Sequence, residues 1–217
     1  MKAAVLVLAM AAMALPLLGE TGSVLQVEYS HPGLSPSHWI LTMHPDGNGH
    51  FHSERGNAPV NNPQTIDAPN VDRDIQLSAD FVKRVFQAAQ DRNLFNVDCE
   101  SHMKVAFQGW KKLSYNGPEG QGVCVFNYSK DKEIQALGDS LASVAGTILE
   151  GARLEMLLQH DPLGLDSETE YLVQAARDGR AQQICVIRGI LMRLADDPGV
   201  MDRVRKRARV LLASAER

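Results

Sequence analysis

Two hydrophobic periods divide this chain. Up to about residue 130, apolar and polar residues alternate in short runs; beyond it, apolar residues recur every three or four positions. Val24 to Ser30 reads VLQVEYS, the alternation of a half-buried strand. His31 to Pro36 is a turn-rich break. Trp39–Met43 and His50–His52 flank Pro45-Asp-Gly-Asn-Gly49, which predicts a hairpin, because Asp-Gly and Asn-Gly supply the positive φ of tight turns. Residues 55–76 hold Gly, Pro, Asn and Asp with little periodicity and read as a long surface loop. Phe81, Val82, Val85, Phe86 and Ala89 follow a candidate N-cap, Ser78, so a helix is expected over about 79–92. Leu94 and Phe95 are expected to pack under the sheet. Met103–Phe107, Lys111–Tyr115 and Val123–Tyr128 are candidate strands, with a turn at 116–122.

In the second half, Ile134, Leu137, Leu141, Val144, Ile148 and Ala152 predict a long helix over about 131–159. Asp161-Pro-Leu-Gly164 ends it. Ser167-Glu-Thr-Glu170 fits a capping box opening a second helix, which Gly179 closes. A third is expected from Ala181 to Ala195. Asp197-Pro198 fits the N-cap and first position of a fourth, with Val200, Val204, Ala208 and Leu211 on its buried face. Short connections make these helices antiparallel neighbours. The expected fold class is α+β: an antiparallel sheet with one packed helix, then a C-terminal antiparallel helical bundle or helical-hairpin stack. The expected division is a signal peptide at 1–22, an α+β sheet domain at 23–130 and an α-helical region at 131–217, with the long helix able to pack on the sheet.

Residues 1–19, MKAAVLVLAMAAMALPLLG, carry one Lys and then no charge before Glu20, the layout of a secretory signal. The apolar run is short for a membrane span and contains Pro16, which leaves an uncleaved anchor as the weaker alternative. Ala12-Met-Ala14, Gly19, Gly22 and Ser23 are all candidate cleavage positions. Export to the periplasm or the exterior is therefore expected, and it changes how the cysteines read. Of Cys99, Cys124 and Cys185, the first two lie in the strand-rich half and are expected to pair as a disulfide. Cys185 is left as a buried thiol in a helical stretch. The composition, 44% hydrophobic and 22% charged over 217 residues, is that of a globular chain. A net charge of -4 argues against nucleic-acid binding driven by bulk electrostatics.

Candidate chemistry is sparse. No Gly-x-Ser-x-Gly, His-Glu-x-x-His, Gly-Lys-Ser/Thr phosphate loop or Cys-x-x-Cys occurs, so neither a catalytic constellation nor a cofactor motif is legible. His38, His44, His50 and His52 crowd the predicted hairpin. His50 and His52 fall on one face of a strand, and His44 or His38 could supply a third ligand, so zinc or copper are the metals such a set would suit. Exposed residues on a solvated hairpin face are the plainer reading, and Asp46 is explained by the turn. Arg203, Arg205, Lys206, Arg207 and Arg209 crowd the last helix, where an anionic partner competes with a solvated face. Asp72/Asp74 and Glu168/Glu170 are acidic pairs of the kind common on loops and helix starts, the latter favoured by a helix N-terminus. An open antiparallel sheet can also accept a strand from a partner protein, and the 55–76 loop offers a contact surface.

The hairpin His38–Glu54, the segment Val123-Cys-Val-Phe-Asn-Tyr-Ser-Lys130, and the run Ile148–Gly164 followed by Glu170–Arg180 resemble exported bacterial proteins of unknown function, of the kind found in acidobacteria-like genomes. The C-terminal helix pairs are also similar in style to HEAT-like hairpins. The resemblance implies an envelope location and carries no catalytic or binding residue. The functional expectation is an exported, non-catalytic binding protein with a protein or envelope component as partner; a metal-binding protein or metal-dependent enzyme using His50, His52 and His44 is the alternative.

Overall fold

The computed structural model describes residues 22–56 and 70–215. Strands β1 (Val24–Ser30), β2 (His38–Met43), β3 (Asn48–Glu54), β4 (Val71–Gln76), β5 (Trp110–Gly117) and β6 (Gly120–Phe126) form one sheet in the order β4-β3-β2-β1-β5-β6. Every neighbouring pair is antiparallel. Alternation sets the faces. Leu25, Val27, Trp39, Leu41, Met43, Phe51, Leu113 and Phe126 all point inward and are buried. Each such side chain stabilises the fold by about 1.5–3 kcal/mol relative to exposure. The β2–β3 turn forms as its sequence requires: Gly47 takes φ +86°, and the Asn48 N–H donates to Asp46 Oδ1 at 2.9 Å.

Two helices cover the inner face. α1 (Ala79–Asp91) is capped by Ser78, whose Oγ accepts from the Phe81 N–H. α2 (Lys132–His160) is capped by Asp131, which accepts from the N–H groups of Glu133 and Ile134 and is itself held by Arg92 at 2.6 Å. α2 runs 29 residues, about 43 Å at 1.5 Å per residue, and takes part in two cores. Ile134, Leu141, Val144 and Ile148 lie in the sheet core. Leu154 and Leu157 lie in a second core with α3 (Leu165–Arg177), α4 (Arg188–Asp196) and α5 (Asp202–Ser214). Gly151 sits near the changeover, where a Cβ would lie 2.3 Å from Ile187 Cγ2, so only glycine admits this approach.

The α+β class stands, and several boundaries differ from expectation for identifiable reasons. The 55–76 loop gives up its end to β4, which pairs with β3, and residues 57–69 fall outside the described residues. Met103–Phe107 joins no ladder. It forms an irregular segment tied to Asn127, whose side chain accepts from the Gln108 N–H (2.6 Å) and donates to the Ala106 carbonyl (3.2 Å). The 116–122 turn shrinks to Pro118-Glu119, because β5 and β6 extend to Gly117 and Gly120. α3 begins at Leu165, before the expected Ser167 cap, so that Leu165 is fully buried; Ser167 Oγ donates back to the Gly164 carbonyl instead. Gln183 adopts φ 54°, which breaks the expected 181–195 helix into a 3-10 turn at Ile184–Ile187 followed by α4. Asp197 caps a turn, accepting from the Gly199 N–H at 2.8 Å, and α5 starts only at Asp202. Cys99 and Cys124 form a disulfide, while Cys185 is a half-buried free thiol.

Candidate functional site

Among the described residues no helix covers the outer face of the sheet, and the strand register composes it into rows. One row reads Asp72, His52, Ile40, Glu28, Lys112, Val125. The next reads Asp74, His50, Thr42, Gln26, Ser114, Val123. A third, shorter row joins Glu54, His38, Ser30 and Trp110.

At the β3–β4 end these rows place imidazoles against carboxylates. His50 Nδ1 lies 2.9 Å from Asp74 Oδ1 and its Nε2 lies 3.2 Å from Asp72 Oδ1. His52 Nδ1 lies 2.8 Å from Asp72 Oδ2 and its Nε2 lies 3.5 Å from Glu54 Oε1. The hydrogen bond to Asp72 raises the His52 pKa, and reciprocally lowers that of Asp72. In the centre, Glu28 takes His38 Nε2 on one oxygen and Lys112 Nζ on the other, each at 3.2 Å.

The hairpin histidines are thus divided. His50 and His52 share Asp72. His38 belongs to a separate cluster around Glu28, and His44 sits in the turn, where its influence falls on Asp46. Among the described residues, no group of three or more His, Cys, Asp or Glu is arranged to hold a metal ion. Two of the three carboxylates that engage these rings, Asp72 and Asp74, come from β4, a strand the sequence pattern concealed; the third, Glu54, ends β3.

The two sheet edges differ in chemistry. β4 carries Asp72, Arg73 and Asp74, the charges that commonly guard an edge against pairing. β6 reads Gly-Gln-Gly-Val-Cys-Val-Phe with no charge and no proline. Its outward Val123 and Val125 are 49% and 44% exposed, and Trp110 on β5 extends the apolar surface. Phe107, exposed on the neighbouring loop, packs edge-on against Trp110 with ring centroids 5.9 Å apart. The Cys99–Cys124 disulfide fastens this loop to β6.

A second constellation lies between α2 and α3, and sequence reading missed its main member. Glu150, Arg153, Ser167, Glu168 and Tyr171 line a cleft of about 400 Å³. Burial, and then the adjoining Glu168 carboxylate, push the Glu150 carboxyl up to about 8, so Glu150 keeps its proton at neutral pH. Arg153 Nε approaches Glu168 Oε2 at 2.9 Å as an ion pair, but its N–H is not aligned, and neither Arg153 Nε nor Glu150 Oε2 gains a hydrogen bond. A carboxyl that keeps its proton and lines a cleft can donate that proton to a bound molecule. Glu150 occupies an ordinary-looking position in a helical pattern, and nothing in the sequence marks it. Glu168 reads as a helix-start charge.

The basic run on α5 is largely occupied within the fold. Arg203 and Arg207 both reach Asp166 Oδ1 at 2.6 Å, Arg207 also meets Glu170, Lys206 pairs with Asp202, and Arg209 donates to the Ala195 carbonyl. The contacts of Arg203, Arg207 and Arg209 join α5 to α3 and α4. No described helix is long and apolar enough to cross a membrane. No family model matches the chain, and no curated protein matches it significantly.

Proposed function

We propose that this chain is an exported, non-catalytic binding protein of the bacterial envelope, which takes an extended segment of a partner protein on the edge strand β6. The observation that carries the reading is the contrast between edges: β4 is guarded by charge, whereas β6 is uncharged and flanked by exposed Val123, Val125 and Trp110. A partner strand added there gains main-chain hydrogen bonds along β6 and apolar contact with alternate side chains. The Cys99–Cys124 disulfide supports a location outside the cytoplasm, and the apolar leader at residues 1–19 supports export. The absence of a recognisable catalytic motif in the sequence favours binding over catalysis.

The test is affinity capture from envelope extracts with the wild-type chain and with Val123→Lys/Val125→Lys. Both positions are solvent-facing, so thermal unfolding should be unchanged while the partner captured by the wild type is lost. Recovery of the same proteins by both forms would overturn the reading. A wild-type dimer that the substitution dissociates would assign the edge to a second copy, and would overturn it as well.

A second reading is favoured by one observation, the sharing of Asp72 by His50 and His52. A small side-chain rearrangement would offer two imidazoles and a carboxylate to zinc or copper. Metal content after dialysis against zinc or copper should then fall on His50→Ala/His52→Ala, and equal content in both forms would end this reading.

A further inference from the structure

Between α2 and the turn that joins β1 to β2 lies an open cleft of about 350 Å³. Its size falls within the range of small-molecule sites, about 300–1,000 Å³. Its wall is mostly apolar: Ala142, Gly146 and Leu149 line it from α2, Leu34 and Pro36 from the turn, and Tyr29 from β1. Tyr29 contributes its ring, because its hydroxyl is spent on the Gln108 carbonyl at 2.7 Å. That ring stacks on the buried Trp39, with centroids 5.3 Å apart. The wall is open at Gly146, where a Cβ would meet nothing within 4 Å.

One cation reaches this apolar space. Lys111 of β5 lies on the inner face of the sheet, and its side chain is only 6% exposed. Its stem is enclosed: a Cβ on Gly138 would lie 2.9 Å from Lys111 Cδ, and the Phe126 ring centroid lies 5.7 Å from Nζ. The ammonium is therefore the part of Lys111 that meets the cleft. Among the described residues its ion-pair partner is Asp139 Oδ1, at 3.5 Å, which is long for a hydrogen bond. The Asp139 carboxylate instead accepts from Gln135 Nε2, at 2.9 Å to each oxygen. Arg73, also inward-facing, is satisfied by two hydrogen bonds to Glu155. An ammonium carries three N–H donors, so Lys111 keeps donors for an acceptor in the cleft.

We propose that this cleft binds a compact, neutral, apolar molecule with one carbonyl-type acceptor, its body against Tyr29, Leu34, Ala142 and Gly146 and its oxygen on Lys111 Nζ. Lys111 and Asp139 balance each other's charge. A carboxylate ligand would face Asp139 and an ammonium ligand would face Lys111, whereas a neutral acceptor is repelled by neither. An apolar wall with one placed polar group is the usual composition of such sites.

The probe is 6-propionyl-2-(dimethylamino)naphthalene, a neutral ketone whose emission shifts to the blue in apolar surroundings, titrated against the full chain. Saturable binding with blue-shifted emission is expected. Gly146→Leu should weaken it by about tenfold or more by filling the open wall, and should keep the thermal stability of the wild type, since leucine favours a helix interior over glycine. Lys111→Met keeps the stem and removes the ammonium. It should weaken the ketone by about tenfold and leave unchanged the binding of 2-(dimethylamino)naphthalene, which lacks the carbonyl. Absence of saturable ketone binding, unchanged affinity in Gly146→Leu, or an equal effect of Lys111→Met on both compounds would each overturn the proposal. Loss of binding in Val123→Lys/Val125→Lys would place the probe on β6 and overturn it as well. None of the cleft residues belongs to β6, so partner capture there is independent of the outcome.

Discussion

At the scale of single residues, Glu150 departs furthest from ordinary behaviour. In the unfolded chain its carboxyl titrates near 4.5, while in the fold burial and Glu168 hold it up to about 8. Between those values the folded state carries more protons than the unfolded one, so this group's contribution is fully favourable below the unfolded value and is lost as pH rises through about 8. Glu150→Gln keeps the shape and removes the titration. The variant should therefore be more stable than the wild type at pH 9, by up to about 5 kcal/mol from the linkage of this shift, and the gap should close towards pH 4. Urea denaturation of both proteins across that range measures it, and parallel stability curves would show that Glu150 does not hold its proton in the fold. The sequence could not have marked this residue. A glutamate one turn from Arg153 on a long helix looks like a surface charge, and only the packing of α3 across α2 takes it out of water. His50 and His52 were legible as a pair, because strand alternation fixes their common face; their carboxylate partners were not.

At the scale of elements, legibility followed burial. β1 and β2 could be read because Leu25, Val27, Leu41 and Met43 alternate cleanly into the core. β4 could not, because it is an edge strand reading Val-Asp-Arg-Asp-Ile-Gln. Its inward Arg73 reaches Glu155 of α2 as a bidentate ion pair, where a central strand would place an apolar side chain. Met103–Phe107 shows the opposite error: it alternates like a strand, yet Met103, Val105 and Phe107 are exposed and no ladder forms. What fixes this segment is covalent. The disulfide closes a loop with a sequence separation of 25, for which the chain-entropy argument gives about 3 kcal/mol. Cys99→Ser/Cys124→Ser should lose about that much in a denaturant titration and should increase amide exchange in the loop from Ser101 to Gln108. Equal stability of the variant and the oxidised wild type would mean that the side-chain bonds of Asn127 suffice to hold the loop.

At the scale of the whole molecule, α2 decides whether the strand-rich and helix-rich halves behave as one unit. The change of hydrophobic period near residue 130 suggests a boundary, but the helix that begins there is buried in both cores. Ile148 and Ala152 belong to the sheet core, and Leu154, two residues beyond Ala152, belongs to the helical one. No turn or linker separates them, and Gly151 allows Ile187 to close on the helix near that changeover. Unfolding the helical stack would strip the C-terminal turns of α2, and the Arg73–Glu155 pair would be lost with them. The two halves should therefore unfold together. Both tryptophans, Trp39 and Trp110, lie in the sheet and report on it by fluorescence, while far-ultraviolet circular dichroism reports chiefly on the helices. Their urea transitions should coincide. Leu154→Ala, a fully buried truncation in the helical core, should cost about 2–5 kcal/mol and move both transitions by the same amount. If it moved the dichroism transition and left the fluorescence transition in place, α2 would be acting as a tether between two independent units, and the sheet would carry its partner-binding edge without help from the stack.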